Sequence, residues 1–132
     1  DIKRVDDRGR NSNDPADPPQ ASLEKYQDQL RRIAQAIQAS GATPIFCTTT
    51  PVPEGGVRPH RDPADVDRYN RAAIAVMSDL GISVLSLGDF AAARLDEFQR
   101  PVNVHFTAQG SSALGNQVAR RLRAELKRPR GR

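Results

Sequence analysis

With 132 residues, the chain is long enough for one domain built around a single hydrophobic core. Its single cysteine, Cys47, excludes an intramolecular disulfide, and the wide separation of this cysteine and the two histidines argues against a structural zinc site. The net charge of +4 is unevenly distributed, because the formal charges of residues 1–119 sum to −2 and those of residues 120–132 sum to +6. No apolar run in the sequence is long enough to cross a membrane.

The first third of the chain predicts a polar loop, a helix and a buried strand. Residues 1–20 are rich in Asp, Asn and Pro, which is typical of a polar loop or a disordered arm. Ser22 then opens a helix, and Gly41 is expected to end it. The apolar face of that helix comprises Leu23, Tyr26, Leu30, Ile33 and Ile37. Residues 43–49 have a short, nearly continuous apolar centre, which predicts a strand covered on both faces.

A second helix and a second strand follow a loop that is rich in proline and glycine. Asp62 is expected to be the N-cap of this helix, with Pro63 at the first helical position and Gly81 at its end. Residues 82–87 are predicted to form the next strand, because apolar and polar residues partly alternate there. A short helix is expected around residues 90–95.

The polar residues of the second helix predict surface contacts and one structural hydrogen bond. Asp65 and Asp67 lie in the sequence near Arg61, Arg68 and Arg71, so we expect surface charge pairs there. Asn70 is expected to be structural, bonding the helix to a loop. The apolar stripe of the same helix includes Tyr69 and Met77, which we expect in the core rather than in a cofactor site.

The segment 104–110, Val-His-Phe-Thr-Ala-Gln-Gly, places His105 in a short loop just before the last helix. Thr107 is a natural N-cap, because its hydroxyl can accept a backbone N–H of the first turn. Residues 111–126 are predicted to form one long helix. Its apolar seam comprises Leu114, Val118, Leu122 and Leu126. An imidazole held in this position suits a general base, although a lone histidine before a helix is often only a polar surface residue.

The C-terminal segment is strongly basic. Residues 120–132 contain seven Lys or Arg residues and one acid, Glu125. We interpret them mainly as a solvated helix end followed by a basic tail, residues 128–132, since cations are favourable near the negative end of a helix dipole. The alternative is a weak contact of this tail with a polyanion.

Alternation of helices with short apolar strands predicts an α/β fold with a parallel sheet and right-handed crossovers. Only two strands are clear in the sequence, and two strands cannot form the core of a full three-layer domain. We therefore expect that the N-terminal part of the sheet is missing from this chain.

Familiar catalytic and phosphate-binding motifs are absent from the sequence. There is no G-x-S-x-G motif, and Gly55-Gly56 lacks the following Lys-Ser/Thr of a phosphate-binding loop. Gly88-Asp89-Phe90 has phenylalanine where a Gly-Asp-Ser motif has its nucleophile. The sequence therefore indicates no nucleophile within this chain, and no cofactor.

Three segments together resemble the C-terminal part of an SGNH hydrolase, a GDSL-type esterase or lipase. They are residues 48–54 (Thr-Thr-Thr-Pro-Val-Pro-Glu), residues 66–70 (Val-Asp-Arg-Tyr-Asn) and residues 104–110. The resemblance covers roughly residues 22–126, which corresponds to a domain at 21–127. It implies a three-layer α/β/α flavodoxin-like fold and cleavage of acyl or acetyl esters, including those on lipids or carbohydrates.

The resemblance also implies specific roles for residues of the last segment. His105 matches the general base, which would activate a serine hydroxyl. The serine, the oxyanion glycine and the oxyanion asparagine of the family have no match in this chain and are expected upstream. The family aspartate that orients the histidine is replaced, since Val102 and Asn103 occupy those positions. Asn103 is therefore expected to orient His105 without a carboxylate.

Two other functions remain open from the sequence. One is a non-catalytic binding or interaction module that keeps the same fold. The other, which is less favoured, is a small basic nucleic-acid binder, although residues 1–119 are net acidic and carry no platform of interleaved aromatic and basic residues. A Gly-Asp-Ser element following a strand upstream would favour the ester hydrolase.

Overall fold

The computed structural model describes residues 2–127 and has a mixed helix and strand fold, in agreement with the predicted α/β class. The elements are α1 (Leu23–Ala39), β1 (Ile45–Cys47), α2 (Pro63–Asp79), β2 (Ser83–Leu85), α3 (Leu87–Ala92), α4 (Leu95–Phe98) and α5 (Ala108–Leu126). As predicted, the two strands are adjacent and parallel, with Phe46 opposite Val84. Both strands are shorter than predicted, and the helix expected around residues 90–95 is instead divided into α3 and α4.

The helix boundaries follow the predicted capping residues. The side chains of Ser22, Asp62 and Thr107 each accept a backbone N–H in the first turn of α1, α2 and α5, respectively. Gly41 and Gly81, just beyond α1 and α2, have φ of 79° and 65°, a left-handed conformation that glycine adopts without a steric penalty. These five predictions are confirmed.

Two clusters of buried side chains form the core. One lies between α1, α2 and the sheet, and Phe46 and Val84 pack against it from the strands. The other lies where α2 meets the N-terminal loop and the loops that follow the strands. Its buried members are Ile2, Val52, Val57, Val66 and Tyr69. Tyr69 and Met77 are therefore core residues, as predicted.

The N-terminal segment, residues 2–20, is an ordered loop rather than a disordered arm. Ile2 is buried in the second cluster, and the backbone N–H of Arg4 donates to the carbonyl of His60 at 2.9 Å. The backbone N–H of Val5 donates to the carbonyl of Pro18 at 3.0 Å. The polar composition of this segment suits the many hydrogen bonds by which it folds back on itself and on α2.

Asp65 departs from the predicted surface charge pairs. Its side chain is only 5% exposed, and its carboxylate lies 3.0 Å from the guanidinium of Arg4 and 2.7 Å from that of Arg68. The contact with Arg4 covers Asp65, because it brings the N-terminal loop over the first turn of α2. Burial of a carboxylate is tolerated when cations compensate its charge.

Several apolar residues predicted to face the core are exposed instead. On α1, Ile33 is 59% exposed and Ile37 is 38% exposed, while Arg31 on a different flank pairs with Asp79 of α2 at 2.6 Å. The side of α1 that packs against α2 includes Leu30 and the buried Ala34, whereas the neighbouring flank of isoleucines is exposed.

The second half of α5 also exposes apolar residues that were predicted to face the core. Leu114 and Val118 are half-buried, as the predicted seam requires, but Leu122 and Leu126 are 48% and 81% exposed. The main packing partners of α5 are α3 and α4.

No helix within residues 2–127 is long and apolar enough to span a membrane. The basic tail predicted at 128–132 lies outside the described residues.

Two glycines of α5 provide a matched test of its packing. A Cβ on Gly110 would lie 2.3 Å from the carbonyl oxygen of Phe98, whereas a Cβ on Gly115 would meet nothing within 4 Å. Gly110→Ala should lower the free energy of unfolding by about 3 kcal/mol. Gly115→Ala should raise it by about 1 kcal/mol, because alanine favours a helix interior. Urea denaturation measures both values, and equal effects of the two substitutions would contradict this packing.

The buried ion pair allows a second test. Arg4→Ala should lower the free energy of unfolding by about 2 kcal/mol, because the Asp65 carboxylate loses one of the two guanidinium groups that compensate its charge. Arg32→Ala is the control, since Arg32 pairs with Asp28 on the surface of α1, and little change is expected. Thermal unfolding of both variants should show the difference, and an unchanged melting temperature for Arg4→Ala would contradict it.

Candidate active site

The candidate site lies where the chain leaves the carboxyl ends of the parallel strands, the usual location of ligand sites in open α/β sheets. After β1, the backbone of Thr49 is fixed at both polar atoms by Asn70 of α2. The amide oxygen Oδ1 of Asn70 accepts from the Thr49 N–H, and its Nδ2 donates to the Thr49 carbonyl, both at 2.8 Å. Asn70 is thus the structural link from helix to loop that the sequence predicts.

The Gly88-Asp89 motif has a packing role near the same strand end. The hydroxyl of Thr48, which is buried, accepts the backbone N–H of Gly88 at 2.8 Å. A Cβ on Gly88 would lie 2.7 Å from the Thr49 carbonyl oxygen. Glycine is therefore required because α3 begins in direct contact with the chain that leaves β1.

The loop that carries His105 is closed between α4 and α5. The N–H of Thr107 donates to the Phe98 carbonyl at 2.8 Å, and the N–H of Arg100 donates to the His105 carbonyl at 3.0 Å. The Thr107 hydroxyl also donates to the Phe98 carbonyl, at 3.1 Å, while accepting the N–H of Gly110. His105 is held at the base of a short antiparallel turn rather than on a free loop.

The tip of that turn is strained at the residue before Asn103. Val102 has a φ of 49°, in the left-handed region that β-branched residues avoid, at a cost of about 1–3 kcal/mol. The N–H of Asn103 donates to the Arg100 carbonyl at 3.2 Å, which closes the turn. Such strain is common at functional sites, and here it lies directly before Asn103.

His105 and Asn103 form the central pair of the site. The Asn103 oxygen Oδ1 accepts the backbone N–H of His105 at 2.9 Å and lies 2.6 Å from the ring Nδ1 of the same residue. Because a backbone N–H can only donate, the amide atom that faces it must be the oxygen. The oxygen can only accept, so the short contact requires a proton on Nδ1. The other ring nitrogen, Nε2, is then the one available to accept a proton from a substrate or nucleophile.

His105 lies at the edge of a cavity of about 470 Å³. The apolar and aromatic residues that line it are Ile2, Ala21, Tyr26, Pro51, Val52, Tyr69 and Val104. The polar residues that line it are Thr49, Thr50, Arg61 and His105. The volume is within the range of about 300–1,000 Å³ that is common for small-molecule sites. The structure thus brings residues of all three segments that resemble the hydrolase family to this cavity, namely Thr49, Tyr69 and His105.

The two tyrosines of the cavity are neutral aromatic groups. Burial raises the pKa of Tyr26, and burial also raises the pKa of Tyr69, with a smaller contribution from the nearby Asp65 carboxylate. Their rings are 5.1 Å apart and tilted by 58°, and the Tyr69 hydroxyl donates to the carbonyl of Ala21. Tyr69 belongs to the family-like segment 66–70, and its hydrogen bond to Ala21 joins α2 to the residues just before α1.

Gln99 is a site residue that the sequence analysis missed. It is only 4% exposed, and its Nε2 donates to the carbonyl of Pro51 at 3.0 Å. This bond joins the His105 turn to the wall of the cavity. The sequence signal was weak, because a glutamine after a short helix is usually solvent-exposed.

The described lining of the cavity includes a histidine whose ring contacts an amide oxygen, that of Asn103. None of the described residues that line it is a serine or a cysteine. Within residues 2–127, no three or more His, Cys, Asp and Glu side chains come together in a way that could hold a metal ion. No family of known proteins matches this sequence, and no curated protein matches it.

NMR can identify which ring nitrogen of His105 carries the proton, because the chain has only one other histidine, His60, whose signals must be distinguished. We expect nitrogen-15 NMR at pH 8 to place the His105 proton on Nδ1, the less common tautomer of a free histidine side chain. Asn103→Ala should shift the population toward Nε2–H, because the accepting oxygen is lost. Asn116→Ala, on the exposed surface of α5, should leave the His105 signals unchanged. An Nε2–H form in the parent chain would contradict the geometry.

Proposed function

We propose that this chain is the base-bearing, C-terminal portion of an SGNH-type serine esterase that cleaves acyl or acetyl esters. The observation that carries the proposal is the Asn103–His105 pair at the edge of an apolar cavity. It leaves Nε2 of His105 as the proton acceptor, which is the arrangement that serine hydrolases require of their general base. The proposed nucleophile is a serine upstream of this chain.

The chemistry assigned to His105 is a two-way proton transfer. Nε2 accepts the proton of the serine hydroxyl as its oxygen attacks the ester carbonyl, and it then returns the proton to the departing alcohol. Asn103 keeps the ring in position through both steps. Because its amide is neutral, it stabilises the imidazolium less than a carboxylate does, so a serine–histidine pair with an amide orienter is the proposed arrangement.

The proposal includes a three-layer α/β/α sheet that continues beyond β1. Parallel sheets normally have both faces covered and more than two strands, whereas β1 pairs with β2 alone among the described strands. The exposed Ile33 and Ile37 on α1 support a neighbouring element there, because they form an apolar flank that α2 does not cover. A further strand beside β1 would bring its own carboxyl end to the edge of the sheet where the His105 loop lies.

One observation favours a second candidate, a binding module without catalysis. The cavity has apolar walls of core residues but no serine or cysteine among its described lining. A ligand could therefore bind beside His105 without being cleaved. Ester hydrolysis distinguishes the two candidates, because only the esterase would cleave an ester once the chain is joined to its serine.

The isolated 132-residue chain should hydrolyse short aryl esters little faster than buffer, because it lacks an activated serine at the site. A fluorophosphonate probe, which labels activated serines, should not react with it. We would measure release of 4-nitrophenol and the intact mass after probe treatment. Rapid turnover that His105→Ala abolishes would contradict the proposal, since it would place a nucleophile within these residues.

The same base can be tested in a polypeptide that joins this chain to the serine-bearing strand, here called the serine-containing protein. His105→Ala should lower its kcat by about a thousandfold or more with little change in KM. Asn103→Ala should lower kcat by roughly tenfold, as expected for one lost orienting hydrogen bond. His60→Ala is the control and should retain parental rates. If folded His105→Ala keeps near-parental kcat/KM on an aryl ester and on an acetylated sugar, the binding module becomes the better interpretation.

A further inference from the structure

The floor of the cavity beside His105 is part of the hydrophobic core. Ile2, Val52 and Tyr69 line the cavity and are also buried members of one core cluster, each 9% exposed or less. Tyr26 and Val104 pack against the same cluster and also line the cavity. A cavity whose walls are core side chains is largely preformed, because those side chains are already fixed by packing.

The polar residues that line the cavity all belong to loops. Thr49 and Thr50 belong to the loop after β1, and His105 to the turn before α5. Arg61 is fixed by donating to the carbonyl of Pro59 at 3.0 Å. The lining therefore combines buried core residues, called the floor here, with more exposed polar residues of the loops, called the rim, which include the proposed base.

We propose that this cavity binds the acyl chain of the substrate, and that it favours medium-length chains of about four to eight carbons over acetyl groups. The inference rests on the proposed function, since it assigns a substrate class to the same site. The apolar floor would cover the hydrocarbon, and the ester group would lie at the rim beside His105. The single methyl of an acetyl group would leave most of the apolar floor without a hydrocarbon contact from the ligand.

The size of the cavity agrees with this class of ligand. At about 470 Å³, it exceeds the space that an acetyl group fills and accommodates a six-carbon chain with its carbonyl. Each methylene that leaves water for an apolar surface strengthens binding by about fourfold, so chain length should control affinity. A carbohydrate ligand would need several hydrogen-bonding partners deep in the cavity, whereas the floor offers alkyl groups and aromatic rings.

The test is a binding titration that needs no turnover. Hexanamide and acetamide are uncharged and uncleaved here, and they differ by four methylenes. Added to the nitrogen-15-labelled chain, hexanamide should bind at least tenfold more tightly than acetamide and should shift the backbone amides of Val52 and Val104. Equal affinities, or tighter binding of N-acetylglucosamine than of hexanamide, would overturn the inference.

A matched pair of substitutions tests whether hexanamide binds in this cavity. Ala21→Phe should fill the cavity and weaken hexanamide binding at least tenfold, while Ala42→Phe, in a groove near the other end of the strands, should not. If Ala21→Phe does not fold, Val104→Phe replaces it with the same expected loss. Unchanged binding in a folded cavity-filling variant would overturn the inference.

The outcomes separate this inference from the proposed function. Hexanamide binding in the cavity with no esterase activity in the serine-containing protein would contradict the proposed function but leave the apolar site established. Faster hydrolysis of acetyl than of hexanoyl esters, with dependence on His105, would overturn the chain-length inference and leave the base assignment intact.

Discussion

The contact between Phe98 and the first turn of α5 is the constraint on which the rest of the site depends. The carbonyl of Phe98 accepts hydrogen bonds from the N–H and the hydroxyl of Thr107, and Gly110 approaches it so closely that no side chain fits between them. This junction fixes where α5 begins and closes the turn in which His105 lies. Gln99, the next residue after Phe98, extends the same junction to the cavity wall through Pro51. His105, its turn and the cavity wall are thereby joined by one set of hydrogen bonds.

The second feature of the site is an orienting group without charge. Asn103 accepts from both the backbone and the ring of His105, so one amide oxygen fixes the position and the tautomer of the imidazole. A carboxylate in that place would also stabilise the imidazolium. The strained Val102 shows that the chain holds Asn103 in place at a cost in backbone energy. Such a cost is understandable if the orientation of His105 matters for function.

The sequence predicted the parts of this structure that local physics determines. Helix starts at Ser22 and Thr107 follow from capping, because one side-chain oxygen satisfies a backbone N–H of the same turn. It could not predict the burial of Asp65, because the arginine that covers it is 61 positions earlier, at Arg4, in a segment whose composition resembles a disordered arm. Amphipathic periodicity marked Ile33 as core, but burial depends on a neighbour that periodicity cannot supply. The Asn103–His105 contact was expected from the family resemblance, because Asn103 stands where the family has its aspartate, whereas the role of Gln99 depends on a loop 48 residues away.

The central claim is that Nε2 of His105 is the proton acceptor in ester cleavage. Chemical rescue tests it most directly, because His105 is exposed and a free imidazole could occupy the place of a deleted ring. In the serine-containing protein with His105→Ala, added imidazole should raise the rate of aryl-ester cleavage at least tenfold in a saturable manner. The same addition should not raise the rate when the serine is also replaced by alanine. An imidazole response that is no larger in the His105→Ala protein than in that double variant would contradict the assignment of His105 as the base.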